Sequence, residues 1–351
     1  MFDIAIKTLV FCLLLTQSAL AGELFSSRFF PNNKPAERKP AKNIADKLDG
    51  AVEFKGALNI RTQSPIYITR ATFTPESAKL LDAGEMSVRI STSWTSAWSM
   101  TFETSWNFDM LELTTNFRYA ISRDIEIGLD IHGGYIGNSL LGEIIKWYHG
   151  LFGMYTTREQ IHETDFAYKN LYYSSVDQSF GLSNLQLQMR YQLYADADLN
   201  ALALTGLIKL PIFEMRGFSS SGVDFGAVIS GQFTEHKRIL ERFTVFGAVG
   251  FFKLAQVKVL NFDSATFQFM FWAGLQLRII SLLAANFEML YLSSPASVIS
   301  TVFSSDQMEL HFGGIITLSK NAVLQVGFLE NSISSANTLD FGIHIGIAIK
   351  R

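Results

Sequence analysis

From Met86 to Ile349 apolar and polar residues alternate almost one for one, a period of two that fits β-strands with one face in an apolar setting and the other in a polar one. Met86, Val88, Ile90 and Trp94 alternate with Ser87, Arg89, Ser91 and Ser93, and Leu111, Leu113, Phe117, Tyr119 and Ile121 with Glu112, Thr114, Asn116 and Arg118. Ile125, Ile127, Leu129 and Ile131 alternate with Glu126, Gly128, Asp130 and His132, and Leu185, Leu187, Met189, Tyr191 and Leu193 with Gln186, Gln188, Arg190 and Gln192. Further segments centre on 201–210, 223–233, 243–252, 266–279, 284–293, 307–319, 322–329 and 339–349. The reading is about twelve antiparallel strands, an even number as bacterial single-chain membrane barrels require.

Alternation alone also fits a large exported sandwich, whose apolar faces would meet in a core. Connection lengths favour the barrel. Short links at 122–124, 281–282 and 319–321 take turns with longer ones around 95–107, 133–183, 211–222, 253–265, 294–306 and 330–338. Short periplasmic turns and long outer loops give that layout, with both termini on the periplasmic side. Trp94, Trp98, Trp106, Tyr119, Tyr191, Tyr194 and Tyr291 fall at strand ends, where aromatic girdles belong. The expected fold is all-β: a transmembrane antiparallel barrel of about twelve strands, with one amphipathic helix in a long extracellular loop.

After the first twenty residues no stretch is long and apolar enough for a membrane-spanning helix. Residues 1–21 read as a signal peptide: Lys7 supplies positive charge, Thr8 to Leu15 the apolar core, and Ala19-Leu20-Ala21 a small-residue cleavage site. Cleavage near Ala21 removes Cys12, the single cysteine, so the mature chain can hold no disulfide. Residues 22–56, with Pro31, Pro35 and Pro40 among basic residues, read as a periplasmic leader, and 57–351 as the barrel. The net charge of −3 and the absence of a basic patch give no sign of nucleic acid.

The inward faces carry Glu112, Arg118, Glu126, Asp130, His132, Arg190, Lys209, Asp224, Arg278, Glu288, Glu309, His311 and His344. A turn near Ser122 sets Arg118 across from Glu126 and Glu112 across from His132, directly or on the diagonal. Glu112, Arg118, Glu126, Asp130, His132, Arg190, Arg278 and Glu288 therefore read as a lumen polar network, either a solute path or a neutralised ion network that fills the barrel. The six histidines show no metal spacing, no serine stands out as a nucleophile, and neither catalytic residues nor a cofactor are assigned. Residues 139–152 form the one helical pattern, its apolar stripe including Trp147, Tyr148 and Phe152, with His149 on the opposite side. On the outer half of the lumen Phe252, Met270, Trp272, Leu290 and Leu292 should meet as an apolar patch. The helix is expected to cover it as a lid or to share it with a hydrophobic ligand; otherwise the helix lies in the lipopolysaccharide interface.

Arg61-Thr62-Gln63-Ser64-Pro65-Ile66, Gly133-Gly134, Trp147-Tyr148-His149-Gly150-Leu151-Phe152-Gly153 with Arg158, Gly181-Leu182-Ser183-Asn184, Lys209-Leu210-Pro211 and Ser221-Gly222-Val223-Asp224 follow one another along the chain. In that order they resemble a domain-of-unknown-function family of proteobacterial outer-membrane β-barrel proteins. Ile212 after Pro211, where the family tends to carry Thr-Gly, and the ending Ile349-Lys350-Arg351 without a terminal aromatic depart from the pattern. The resemblance implies fold and location, and no chemistry. The functional expectation is a passive channel or transporter for small or lipid-like molecules in the Gram-negative outer membrane, with a lipid-modifying enzyme or a structural, adhesive barrel as alternatives. Expected partners are outer-membrane lipid and lipopolysaccharide, and the barrel-assembly machinery during biogenesis.

Overall fold

A computed structural model of the chain describes residues 56–64, 67–100, 104–137, 141, 144, 147, 150, 167–170, 179–196, 200–212, 220–234, 243–256, 258–259, 262–263, 265–280, 282–294, 306–331 and 341–351. Twelve long strands form β1 (Met86–Met100), β2 (Thr104–Ala120), β3 (Ile125–Gly137), β4 (Ser179–Ala195), β5 (Ala201–Leu210) and β6 (Asp224–Thr234), then β7 (Phe243–Lys253), β8 (Phe267–Ile280), β9 (Leu283–Leu292), β10 (Gln307–Ser319), β11 (Ala322–Asn331) and β12 (Phe341–Lys350). Each pairs antiparallel with the next, and β1 also pairs with β12, from Ser87 opposite Lys350 to Ser96 opposite Phe341. The twelve strands thus close into a barrel, which excludes the sandwich, and a short strand, Ala167–Asn170, adds to the long-loop end of β2. The long link expected around 95–107 is largely strand, since β1 and β2 stay in register up to Met100 opposite Ser105.

The alternation sorts the residues as expected. Along β5 Ala201, Ala203, Thr205, Leu207 and Lys209 are buried inside, whereas Leu202, Leu204 and Ile208 are exposed outside. Phe117, Met189, Ile229, Val249, Phe251, Phe328 and Ile345 continue the exposed apolar surface around the ring. An outer surface this apolar on every side far exceeds the isolated patches of soluble proteins.

A barrel of about eight strands is narrow enough for its own side chains to fill; twelve strands enclose more space than they can reach across. Here residues 56–64 and 67–81, outside the ladder, lie inside it, and nearly all from Gly56 to Ala78 are buried. Near the end with the short turns, the carbonyl of Gly56 accepts from Gln276 and Asn286, and the amide of Leu58 donates to Glu288. The chain then passes Gln307 and Glu309, makes a 3-10 turn at Tyr67–Thr69 and reaches Asp224 at the long-loop end. It returns past Trp272 to Gln232, Gln192 and Glu126 at the short-turn end. There Gly84, at a φ of 82° that favours glycine, feeds it into β1, its amide bonded to the carbonyl of Ala120. Glycines let the ascending arm lie close against the wall: a Cβ on Gly327 would stand 3.1 Å from Cδ1 of Ile60, and one on Gly313 2.9 Å from Cδ1 of Leu58.

Phe252, Met270, Trp272, Leu290 and Leu292 are buried in one cluster with Tyr67, Ile68, Ala71 and Phe73 of the internal segment. Phe73 packs edge-on against Trp272, with ring centroids 6.5 Å apart. Of the helix expected over 139–152 only Leu141, Ile144, Trp147 and Gly150 are described; Tyr148, His149 and Phe152 lie outside the described residues. Trp147 is 66% exposed. The amide of Leu141 donates to Asp109, which shares the outward side of β2 with Leu111 and Phe117. The inward docking of Trp147 is therefore corrected: the internal segment already fills the lumen at that place. The leader expected over 22–56 lies, apart from Gly56, outside the described residues.

Gly327→Leu should push the ascending arm off the wall, an overpacking that costs about 1–3 kcal/mol. Limited proteolysis should then cut within residues 56–83 while the barrel keeps its heat-dependent gel migration; an uncut segment would show that the contact does not hold the arm.

Candidate functional site

The inward polar residues of the barrel and those of the internal segment form one connected set. Near the short-turn end its hub is Glu76, whose carboxylate lies 2.9 Å from Nη1 of Arg89, 3.2 Å from Nε of Arg118 and 3.4 Å from Nε of Arg190. Arg118 continues to Asp130 at 2.6 Å and Arg190 to Glu126 at 2.8 Å. Gln188 also donates to Asp130, and Arg190 to the carbonyl of Ser77. Burial alone would push the Glu76 carboxyl up, but the guanidiniums of Arg118, Arg190 and Arg89 outweigh it and hold the group at about 2.

Further along the lumen Arg61 pairs with Glu112 at 2.7 Å and donates to Thr72 and to the carbonyl of Ile68, while Gln63 donates to the other oxygen of Glu112. Arg61 thereby ties the two arms of the segment to each other and to β2. On the opposite wall Glu309 accepts from Thr62 and from the amide of Gln63, with His311 at 3.2 Å. Glu288 accepts from the amide of Leu58, from Asn286 and from the indole of Trp272.

At the long-loop end Arg70 donates to Asp224 at 2.8 Å, to Ser220 at 2.9 Å and to the carbonyl of Ala255 at 2.9 Å. The amides of Ala71 and Ala255 complete the shell of Asp224. Lys209 donates to the carbonyls of Ser220 and Gly222, and Asn184 to that of Ile68. Buried charges tolerate this enclosure because each is hydrogen-bonded, Arg70 and Asp224 to each other and Lys209 to two carbonyls.

Of the expected network, Glu112, Arg118, Glu126, Asp130, His132, Arg190 and Glu288 are all buried in the lumen, while Arg278 is half-buried near the short-turn end of β8. The pairings differ in detail. Arg118 stands opposite Gly128, where a Cβ would come within 2.8 Å of its Nη1, and reaches Asp130 on the diagonal rather than Glu126. His132 bonds Thr114 and stays 3.8 Å from Glu112. The inward-face reading missed Arg61, Arg70 and Glu76, which belong to no strand. A signal for the two arginines existed: Glu112, Asp224, Glu288 and Glu309 leave this part of the wall short of positive charge, and Arg61 and Arg70 lie upstream of β1.

Glu76→Gln would leave the buried guanidiniums of Arg118 and Arg190 and the half-buried one of Arg89 short of a counter-charge, a change that costs about 3–5 kcal/mol. The segment should loosen, read as faster proteolysis within 56–83. Because the folded value is depressed, the stabilisation is complete above the ordinary carboxylate value of 4.5 and fades as pH falls through about 2. Wild-type segment protection should follow that window, and protection in Glu76→Gln should lose this dependence.

The fold is similar to that of an outer-membrane channel from Pseudomonas putida F1, with a TM-score of 0.56 at 6% identity over 78% of this chain and 98% of that one. The NanC porin matches with a TM-score of 0.44 at 9% identity, over 75% of this chain and 98% of that one. The translocator domain of the autotransporter NalP from Neisseria meningitidis gives 0.41 at 8% identity, over 78% and 90%. No curated protein matches the chain in sequence. The model of one family covers residues 44–350, from ahead of the internal segment to the end of β12, and the chain therefore belongs to the family described as protein of unknown function (DUF3187).

Proposed function

We propose that the protein is an outer-membrane channel for small molecules, kept closed by its own residues 56–83. The observation that carries this reading is that the lumen of a closed barrel holds a segment bonded to the wall through side chains and not through the ladder. Such contacts can be released without opening the barrel. The apolar outer surface and the similarity in fold support the membrane location, and the short-turn end is then periplasmic.

A specific feature favours a channel over a barrel filled for good. On the inward face of β2 to β6, Asn116 Nδ2, His132 Nε2, Gln186 Nε2, Gln188 Oε1, Thr205 Oγ1 and Ser230 Oγ are buried without a hydrogen-bond partner. This part of the wall thus carries more polar atoms than the segment engages, as a water-lined path needs. The same wall suits water once the segment withdraws. Withdrawal also removes Arg61 and Arg70, leaving Glu112, Glu309 and Asp224 against Lys209. An acidic ring of this kind favours cations.

Planar-bilayer recordings test the reading. The intact protein should be nearly silent, and deletion of residues 57–81 should raise conductance by about tenfold or more with a cation-selective reversal potential. Cysteines replacing Ser77 and Gln232, whose polar atoms lie 2.7 Å apart, should hold the intact protein shut when joined by a short bifunctional reagent. A deletion variant that keeps its heat-modifiable barrel yet does not conduct would refute the channel.

A further inference from the structure

The inward face is not uniformly polar. On β7 to β9 Phe252, Met270, Trp272, Leu290 and Leu292 lie in the long-loop half, and Phe246, opposite Gly274, adjoins them; all are buried. Two of these rings cover places where a side chain has been dispensed with: a Cβ on Gly274 would fall 2.1 Å from the ring of Phe246, and one on Gly226 2.6 Å from that of Phe252. Phe246 and Trp272 stack at 5.0 Å with their planes 13° apart. The glycines therefore let aromatic rings settle against the strands and form a smooth apolar panel on the wall. Phe73, from the internal segment, meets that panel edge-on at 62° to Trp272.

We infer that this panel is a binding site for a small uncharged aromatic molecule, which takes the place that Phe73 holds in the closed barrel. The class follows from what lines the site. Rings are met by a ring, in the edge-to-face geometry that aromatic pairs prefer over a general apolar contact. The nearest charge, Glu288, keeps the indole of Trp272 and the side-chain amide of Asn286 as donors when the segment and its Leu58 leave, and the remaining lining of the panel is uncharged. The size follows from the occupant, since the group to be replaced is a single phenyl ring. The occupant is also conditional. Phe73 belongs to the segment whose departure the channel reading requires, whereas the panel belongs to the ladder and stays. A ligand that binds the panel only when Phe73 is away draws the segment toward its released state. The inference rests on the channel reading for that release and adds the ligand to it.

The test uses the full chain with Cys12→Ser in detergent, toluene as the probe and cyclohexane as its non-aromatic control. A cysteine replacing the buried Ala71 reports release through its labelling rate with a water-soluble maleimide; Thr74→Cys serves as a second reporter, because the Ala71 amide bonds Asp224. Saturating toluene should raise the labelling rate about tenfold and cyclohexane should not, as expected when a ligand favours one of two states. Trp272→Leu keeps the volume apolar and should abolish the toluene effect while leaving spontaneous labelling in place; Phe246→Leu is the substitute should that barrel lose its heat-modifiable migration. Labelling that toluene leaves unchanged, or that cyclohexane raises equally, or that persists in its toluene dependence without Trp272, overturns the site and leaves the channel reading standing. Labelling that occurs under no condition short of unfolding overturns both.

Discussion

A ring of twelve hydrogen-bonded strands closes its own edges but cannot fill its own centre, and the interior of this protein is the answer to that geometry. The space is taken by a stretch of chain that precedes the ring in sequence and brings its own polar groups. Since the wall is lined with carboxylates, guanidiniums and amides, the filler has to match them one by one, because a buried charge left alone costs far more than its pairing returns. The result is a segment held by addressed contacts: Arg61 at Glu112, Arg70 at Asp224, and Glu76 among three arginines.

These contacts differ in kind along the lumen. Toward the short turns, charge pairs dominate and fix position. In the long-loop half, apolar side chains of the segment rest on aromatic rings of the wall, between the arginines at Glu112 and Asp224. Polar pairing is directional and sets the register of the two arms; the apolar contact is not directional and tolerates exchange of one ring for another. The division gives one piece of chain both a definite seat and a surface at which a competitor can act.

The barrel was legible in the sequence because strand alternation is a local signal repeated in every strand, and Gly128, Asp130 and His132 fall on the inward side by counting alone. The inward position of Glu112, Arg190 and Glu288 followed in the same way. The internal segment was not legible, because residues 57–83 have no period: their partners are the walls of a barrel that exists only after the strands have closed. Helical spacing at 139–152 suggested a cover for the apolar patch, yet a pattern of faces says nothing about which of two apolar segments reaches a site first. Phe73 is one residue in an irregular stretch and gave no such signal. The motifs that carried the family resemblance gain a common meaning once the segment is in place. Arg61, Asn184, Lys209 and Asp224 come from four separate motifs and meet around the tip of the segment.

The two arms of the segment run side by side, with Gly56 and Gly84 both toward the short-turn end and the 3-10 turn at Tyr67–Thr69 toward the other. A loop that enters and leaves by the same mouth is not threaded through the ring. No chain end has to cross the barrel for the loop to be seated or withdrawn, whatever length of chain lies ahead of Gly56. The ring can close first and be stoppered afterwards, so assembly of the wall and filling of the lumen are topologically independent steps, and only the side-chain contacts between them need to be remade each time.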